Sequence, residues 1–426
     1  MSAAPASPPG RHPQLLMIVT VLIVAANLRP AITAVGPLIE RIGEDTGLGP
    51  AALGLLGAIP ALGFGVVALF VAALGRRWGL ERTIFVSLLL LGLGTLLRSL
   101  PLGAFSLFAG TVILSAAIGV GNVLVPAVVK RDFPARVPVM TGLYTAVLVG
   151  CAAVASGTAV PLAAAKGWEF TLGVTAVFAL VSAALWGVRF KDPRAGRAES
   201  APTPAGADLA ASEVSASEAS APEVPALGAA PAPGSAGGTM WHSAVAWQVT
   251  AYFALQSGIF YLMLTWFPAI QTSHGVTEAA AGFWLGAYQA IGIVASLVVG
   301  PIMQRAQDQR AVVVALAGIM LVGVLGILFL PEAMPAWALI VGFASGGNLL
   351  AGLTLISMRA RTSGEASRLS GMAQGVGYLL AAVGPLLAGT LFELTGSWSP
   401  VLWIIVAAIV VMAVVGLFAG RRVDVL

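Results

Sequence analysis

The sequence predicts an all-α membrane protein, with twelve transmembrane helices in two parallel, pseudo-symmetric halves of six. Three observations carry that expectation. Of 426 residues, 58% are hydrophobic and 9% charged, with a mean hydropathy of +0.94, whereas a soluble chain carries about a quarter charged residues. Twelve apolar runs are long enough to cross a bilayer, which takes about 20 residues of helix. Short motifs from the first half of the chain recur in the second, in the same order and at a nearly constant spacing.

Composition excludes a water-soluble globule with an ordinary surface. The 51 Gly and 26 Pro fit membrane helices, where both are common. The net charge of +4 and the pI near 9.6 read as membrane topology, and no nucleic-acid partner is expected. The single cysteine, Cys151, lies in an apolar run. His12, His242 and His274 all lie in polar stretches. No disulfide within the chain, no metal and no cofactor is expected.

In order, the apolar runs cover about 15–39, 51–74, 83–97, 105–129, 139–163 and 170–188, then 244–270, 279–303, 312–330, 336–357, 369–391 and 400–419. The expected organisation is a disordered tail over 1–14, an N-terminal half over 15–190, a linker over 191–243, a C-terminal half over 244–420 and a tail over 421–426. The 1–14 stretch reads as a tail because the apolar run after it is too long for a signal peptide. The linker is Ala/Pro/Ser/Glu/Gly-rich and cannot bury a core, so disorder is expected there.

Lys and Arg assign the sides. With the N-terminus inside, 18 of them fall in inside segments. Only Arg41, Arg98 and Lys166 fall outside, and Arg29 lies within the membrane. The bias predicts cytoplasmic termini and a cytoplasmic linker in the cell (inner) membrane.

The repeat is visible in words. GAIPALG begins at Gly57 and GAYQAIG at Gly286. TGLY begins at Thr141 and SGMA at Ser370, at the same offset. GVGNVL from Gly119 and SGGNLL from Ser345 keep nearly that offset. Two six-helix halves in one orientation are the plan of the major facilitator fold, whose site lies between the halves near the midplane.

Polar groups inside a membrane are costly, so those that persist are informative. Arg29, in VLIVAANLRPAITAVGPLI, is the one charge expected deep in a span. Its guanidinium cannot escape burial by losing a proton. Snorkelling to the outer interface and a structural pairing are two readings, and a substrate-facing role is the favoured one. Asn27 and Arg29 would lie about 200° apart on an ideal helix. A kink at Pro30 could bring both to the cavity.

The repeat extends the candidate set. Asn27 maps to Gln256, while Arg29 maps to Gly258, so the charge breaks the symmetry. Asn122 pairs with Asn348, Thr145 with Gln374, and Pro60 with Gln289. Tyr144, Tyr261, Tyr288 and Tyr378 lie close by, each offering one hydroxyl from an aromatic body. The candidate substrate-binding set is Asn27, Arg29, Asn122, Tyr144, Gln256, Tyr261, Gln289, Asn348, Gln374 and Tyr378. An interhelical hydrogen bond is the plain alternative for each amide. Asp and Glu are absent from the depth of every span, and Glu40 and Glu393 at outer ends read as solvated interface. A buried Arg without a buried acid favours an anionic or strongly dipolar substrate.

NLRPAITAVGPLI, GAIPALGFG, LFAGTVILSAAIGVGNVLVPAVVKRDFP and MTGLYTAVLVG resemble the cyanate porter and 2-nitroimidazole transporter family of the major facilitator superfamily. The likeness covers all twelve spans and leaves out the linker. It implies alternating access and small polar or anionic solutes. The superfamily's loop signature between the second and third spans survives only as GRRWGLER, without the acid before the arginines.

The expected function is therefore transport, not catalysis. The leading form is a monomeric secondary or facilitative carrier of a small anionic or polar solute, such as a cyanate-like anion, a small carboxylate or a nitroimidazole-like heterocycle. A multidrug-type exporter of apolar compounds is the alternative. A membrane-embedded enzyme or receptor is disfavoured, because no His, Asp or Ser constellation sits in the spans.

Overall fold

The computed structural model describes residues 11–133, 136–190 and 239–425. Twelve helices in it are long and apolar enough to span a bilayer. They are α1 (Met17–Thr46), α2 (Pro50–Val71), α3 (Leu80–Arg98), α4 (Ala104–Asp132), α5 (Val139–Lys166) and α6 (Trp168–Gly187). The second six are α7 (Ala244–Ser273), α8 (Glu278–Arg305), α9 (Arg310–Phe329), α10 (Pro331–Met358), α11 (Glu365–Thr395) and α12 (Ser399–Ala419). All twelve expected spans are found.

Local chemistry sets the ends. Gly47 (φ 71°) and Gly275 (φ 84°) follow α1 and α7, at corresponding places in the two halves. Both take the left-handed conformation that a side chain disfavours and glycine tolerates. Pro50 opens α2 in its first turn, where a missing N–H costs nothing. Thr277 caps α8 by accepting a hydrogen bond from the Ala280 N–H.

The two halves repeat in their packing. In the first, α1 packs on α5 and α6, α2 on α4, and α3 on α4 and α6. In the second, α7 packs on α11 and α12, α8 on α10, and α9 on α10 and α12. Even an anchor near the helix ends repeats. Arg131 at the end of α4 pairs with Glu81 in the first turn of α3. Arg359, just past α10, donates to Gln309 Oε1 at 2.6 Å, just before α9. Arg359 and Gln309 stand at one and the same offset from Arg131 and Glu81. The GRRWGLER stretch thus does carry an ion-paired acid, Glu81, which lies in the first turn of α3 after Arg76 and Arg77 instead of preceding them.

The halves differ most in their first helices. α7 runs as one uninterrupted helix over Ala244–Ser273. α1 is broken: one helix ends at Asn27, a short one starts at Pro30, and a 3₁₀ turn covers Gly36–Leu38. The cause is local. Proline disfavours helical geometry in the residue before it and removes a backbone donor. Arg29 (φ −125°, ψ −39°) becomes the residue that caps the new segment, its carbonyl accepting from the Ile32 and Thr33 N–H groups.

Three expectations change at the edges. Residues 1–10 of the tail lie outside the described residues, but Arg11–Gln14 already belong to the first helix. Most of the linker lies outside them too, while Thr239–His242 forms a helical turn whose Met240 is buried. Arg98, expected in an outside segment just after the third span, is the last residue of α3 and is buried at 1% exposure.

Candidate functional site

The protein has two faces. The one where α1 begins and α12 ends carries most of the Lys and Arg and is called the basic face below. The opposite face holds Arg41 and the α1–α2 and α7–α8 turns.

At the far face the halves are locked together. Arg41 on α1 pairs with Glu278 at the start of α8 at 2.7 Å. Thr272 on α7 donates to Glu40 at 3.1 Å. Glu393 on α11 accepts from the Ala51 N–H at 2.8 Å, capping α2 from the other half. Glu40 and Glu393 are exposed, as expected for a solvated interface, and they also bridge the halves. Backbones touch here as well. A Cβ on Gly389 would sit 2.2 Å from Pro50 O, and one on Gly36 would sit 2.2 Å from Leu264 O. Only glycine permits such approach. One step further in, Gln289 on α8 donates to Ser156 Oγ on α5 at 2.8 Å, and Ser156 donates to Thr33 O on α1 at 3.1 Å.

Towards the basic face the seam opens. Gly142 on α5 and its repeat partner Gly371 on α11 have nothing within 4 Å of a Cβ position. Between the closed and open parts lies a cavity of about 230 Å³. α1 and α5 form one wall, and α7, α8 and α10 the other. It starts at the level of Arg29 and Gln289 and extends along Thr141 of α5, Leu297 of α8 and Leu353 of α10, all near the basic ends of their helices.

Three polar atoms in this wall are buried and have no hydrogen-bond partner among the described residues: Arg29 Nε, Tyr288 Oη and Ser345 Oγ. The Tyr288 and Ser345 hydroxyls are neighbours without the geometry of a full hydrogen bond. The Arg29 guanidinium carbon lies 5.6 Å from the centre of the Phe260 ring, a cation–π contact. Among the described residues no Asp or Glu lines the wall. An unpaired charge and two free hydroxyls in a low-dielectric pocket are costly left empty. They are matched by an acceptor-rich ligand, charged or strongly dipolar.

Of the ten residues expected to bind substrate, Arg29 and Gln289 line this cavity. The break before Pro30 does not bring Asn27 in with Arg29. Asn27 instead donates at 2.7 Å to Ser182 Oγ on α6 and to Ile23 O, inside the N-terminal half. Asn348 accepts from the Tyr252 hydroxyl at 2.6 Å and donates to Ala344 O. Gln374 donates to Ser370 Oγ at 2.9 Å, and Gln256 accepts from Ser257 Oγ at 3.1 Å. These amides make the short-range and interhelical bonds that were the plain alternative. Tyr261 and Tyr378 pack edge-on against each other and against Phe64, within electrostatic reach of Arg29 but off the cavity wall. Tyr144 is buried on α5 and Asn122 half-buried on α4, neither of them in the wall.

Ser345 is absent from the expected set, and Tyr288 enters the sequence reading only as a nearby hydroxyl. Tyr288 directly precedes Gln289, and Ser345 opens the SGGN turn shortly before Asn348. The repeat points to the amide in both cases, yet the neighbouring hydroxyl is the group left free.

Gly258, the repeat partner of Arg29, would itself accept a Cβ at ordinary contact distance, 3.5 Å from Ala381 Cα. A Cβ on Gly384 of α11 would lie 2.7 Å from Gly258 O, so the α7 and α11 backbones nearly touch there. The close approach requires glycine at 384, while position 258 offers its backbone where Arg29 offers a charge.

Known proteins share this plan. The family model of the Major Facilitator Superfamily matches residues 19–382. The chain is 34% identical over 409 residues to the 2-nitroimidazole transporter of Escherichia coli (strain K12), covering 96% of each protein. It is 26% identical over 384 residues to the cyanate transport protein CynX of the same organism, covering 90% of this chain and 91% of that one. In three dimensions it matches a bacterial homolog of the human lysosomal transporter Spinster, in an inward-facing and occupied conformation, with a TM-score of 0.75 over 98% of both chains. At 13% identity that match shows the fold.

Proposed function

The chain belongs to the Major Facilitator Superfamily, and from that premise we propose that it carries a small anionic or dipolar solute, bound at Arg29, Tyr288, Ser345 and Gln289, across the cell membrane by alternating access. The observation that carries this reading is the convergence of three unpartnered polar atoms, Arg29 Nε, Tyr288 Oη and Ser345 Oγ, on one cavity without an acid. The named substrates of the relatives, a nitroimidazole and cyanate, are small, acceptor-rich molecules. Apolar neighbours such as Phe260, Leu148, Ile293 and Leu350 complete the wall and suit a flat ring or a short chain.

By the positive-inside rule the basic face is cytoplasmic, so the described state is open to the cytoplasm. Transport then consists of rocking the half containing α1–α6 against that containing α7–α12 about the cavity. Bound solute neutralises Arg29. The loaded carrier therefore has a lower desolvation cost for closing over the site than the empty one.

A thermal-shift screen of the purified protein tests the reading, because a ligand of the folded state raises apparent stability. Cyanate, small carboxylates and 2-nitroimidazole are expected to stabilise the wild type. Arg29→Gln is expected to remove the response to the anions while keeping the unliganded melting temperature. Anion stabilisation that survives in Arg29→Gln would sink the role of Arg29. The apolar walls also favour a second reading, an exporter of apolar compounds. Competition by hydrophobic cations, with none by small anions, would select it.

A further inference from the structure

The protein holds a second guanidinium that this cycle does not use. Arg98 closes α3 and is 1% exposed. Its Nη1 donates to Ala31 O at 2.7 Å, just beyond Arg29 in the broken helix α1. Among the described residues its Nε and Nη2 have no partner. Nor does any salt bridge among the described residues include it. A purely structural arginine this deep would be expected to spend its donors on carbonyls or a carboxylate, because an unpaired buried charge is costly.

The surroundings of Arg98 suggest what the free donors are for. It lines a small cavity of about 10 Å³, on the far side of the main site. That space holds about one water molecule. Ile32 and Gly36 of α1 and Gly57 of α2 line it from the first half, and Leu264 and Thr265 of α7 from the second. The lid is therefore the other half of the transporter. It is shut by close contact: a Cβ on Gly57 would meet Thr265 at 2.4 Å, and one on Gly36 would meet Leu264 O at 2.2 Å.

We propose that Arg98 is a second anion-binding position, buried in this state and opened to the far-side vestibule when Leu264 and Thr265 withdraw. The inference rests on the reading of the solute as anionic. Two adjacent guanidinium donors suit a carboxylate or another oxyanion. The anion would meet Arg98 first from the far side and then pass to Arg29. Two weak positions in series let an ion arrive without being trapped. Arg98 also grips Ala31, so the two positions are joined through the backbone of α1.

The test reads charge directly and needs no identified solute. Thr265→Cys is made in a Cys151→Ser background, and two thiol reagents are added from the far face, one bearing a sulfonate and one a trimethylammonium group. The measured quantity is the ratio of their rates. With Arg98 present, the ratio should favour the sulfonate reagent by about tenfold over the ratio in Arg98→Gln, as expected for a cation a few ångströms away. Arg98→Met serves as a second neutral variant should Gln fail to fold, and Arg98→Lys should keep the preference. A ratio indifferent to Arg98, or an introduced thiol that never reacts from the far face, overturns the proposal. Anion flux with no charge effect at this position removes Arg98 alone. A charge effect with no anion flux keeps Arg98 as a vestibule cation and removes the solute reading instead.

Discussion

The two ends of the seam between the halves are built from the same repeat and behave oppositely. At the far end Gly36 and Gly389 bring backbones into contact, and Arg41–Glu278 and Glu393–Ala51 tie one half to the other. At the basic end Gly142 and Gly371 face open space. Glycine is common to both ends, so small residues alone do not close a seam. What closes the far end is glycine opposite a carbonyl, with charged groups at the rim. A symmetric scaffold can thus hold one end shut and leave the other free, which is what alternating access requires.

The largest expected effect comes from breaking the closed end. Gly389→Leu would drive a side chain into Pro50 O, so the far face should no longer close. Transport in proteoliposomes should fall by about tenfold or more, and a far-side cysteine should label faster. The paired change Gly142→Leu and Gly371→Leu should have the opposite signature. A Cβ at either position meets nothing within 4 Å in the described state, so the melting temperature should stay within a few degrees of wild type while transport is lost because the basic end cannot shut. Normal transport in that double variant would show that the basic ends of α5 and α11 never meet.

Smaller effects come from the rim. Glu393→Ala removes a cross-half cap from α2, worth about 1 kcal/mol, and should favour the far-open state by severalfold, measured as far-side labelling. Arg41→Gln or Glu278→Gln should shift the same balance less, since a partly exposed pair contributes about 0–1 kcal/mol. The charge-swapped pair Arg41→Glu with Glu278→Arg should restore it. Deleting 198–236 of the linker should change the balance least, leaving transport close to wild type.

Much of the fold is legible in the sequence because a bilayer penalises unpaired backbone and charge so heavily. Hydropathy alone places all twelve spans, and the internal repeat announces the two halves. The site is legible only in part. Arg29 stands out because a charge in hydrocarbon is rare. Gln289 stands out because its repeat partner is Pro60. The remaining amides lie off the cavity wall, and several of them find partners on their own helix or on a neighbouring one. Asn348 with Tyr252, Gln374 with Ser370 and Asn27 with Ser182 are satisfied within their own halves. Tyr288 and Ser345 are ordinary residues in sequence and become notable only because, among the described residues, neither hydroxyl completes a hydrogen bond. Arg98 shows the same limit. At the end of an apolar run it reads as a loop cation, and only the packing of α3 inside the first half buries it.

The number of spans, their grouping into halves, the basic face and the break at NLRP can all be read along the chain, because each follows from solvation or from the local geometry of proline. Tertiary structure decides which polar groups are spent and which are free, and which end of the seam is closed. Those outcomes depend on whether an acceptor from a distant helix lies within about 3 Å, and no pattern along the chain encodes that distance.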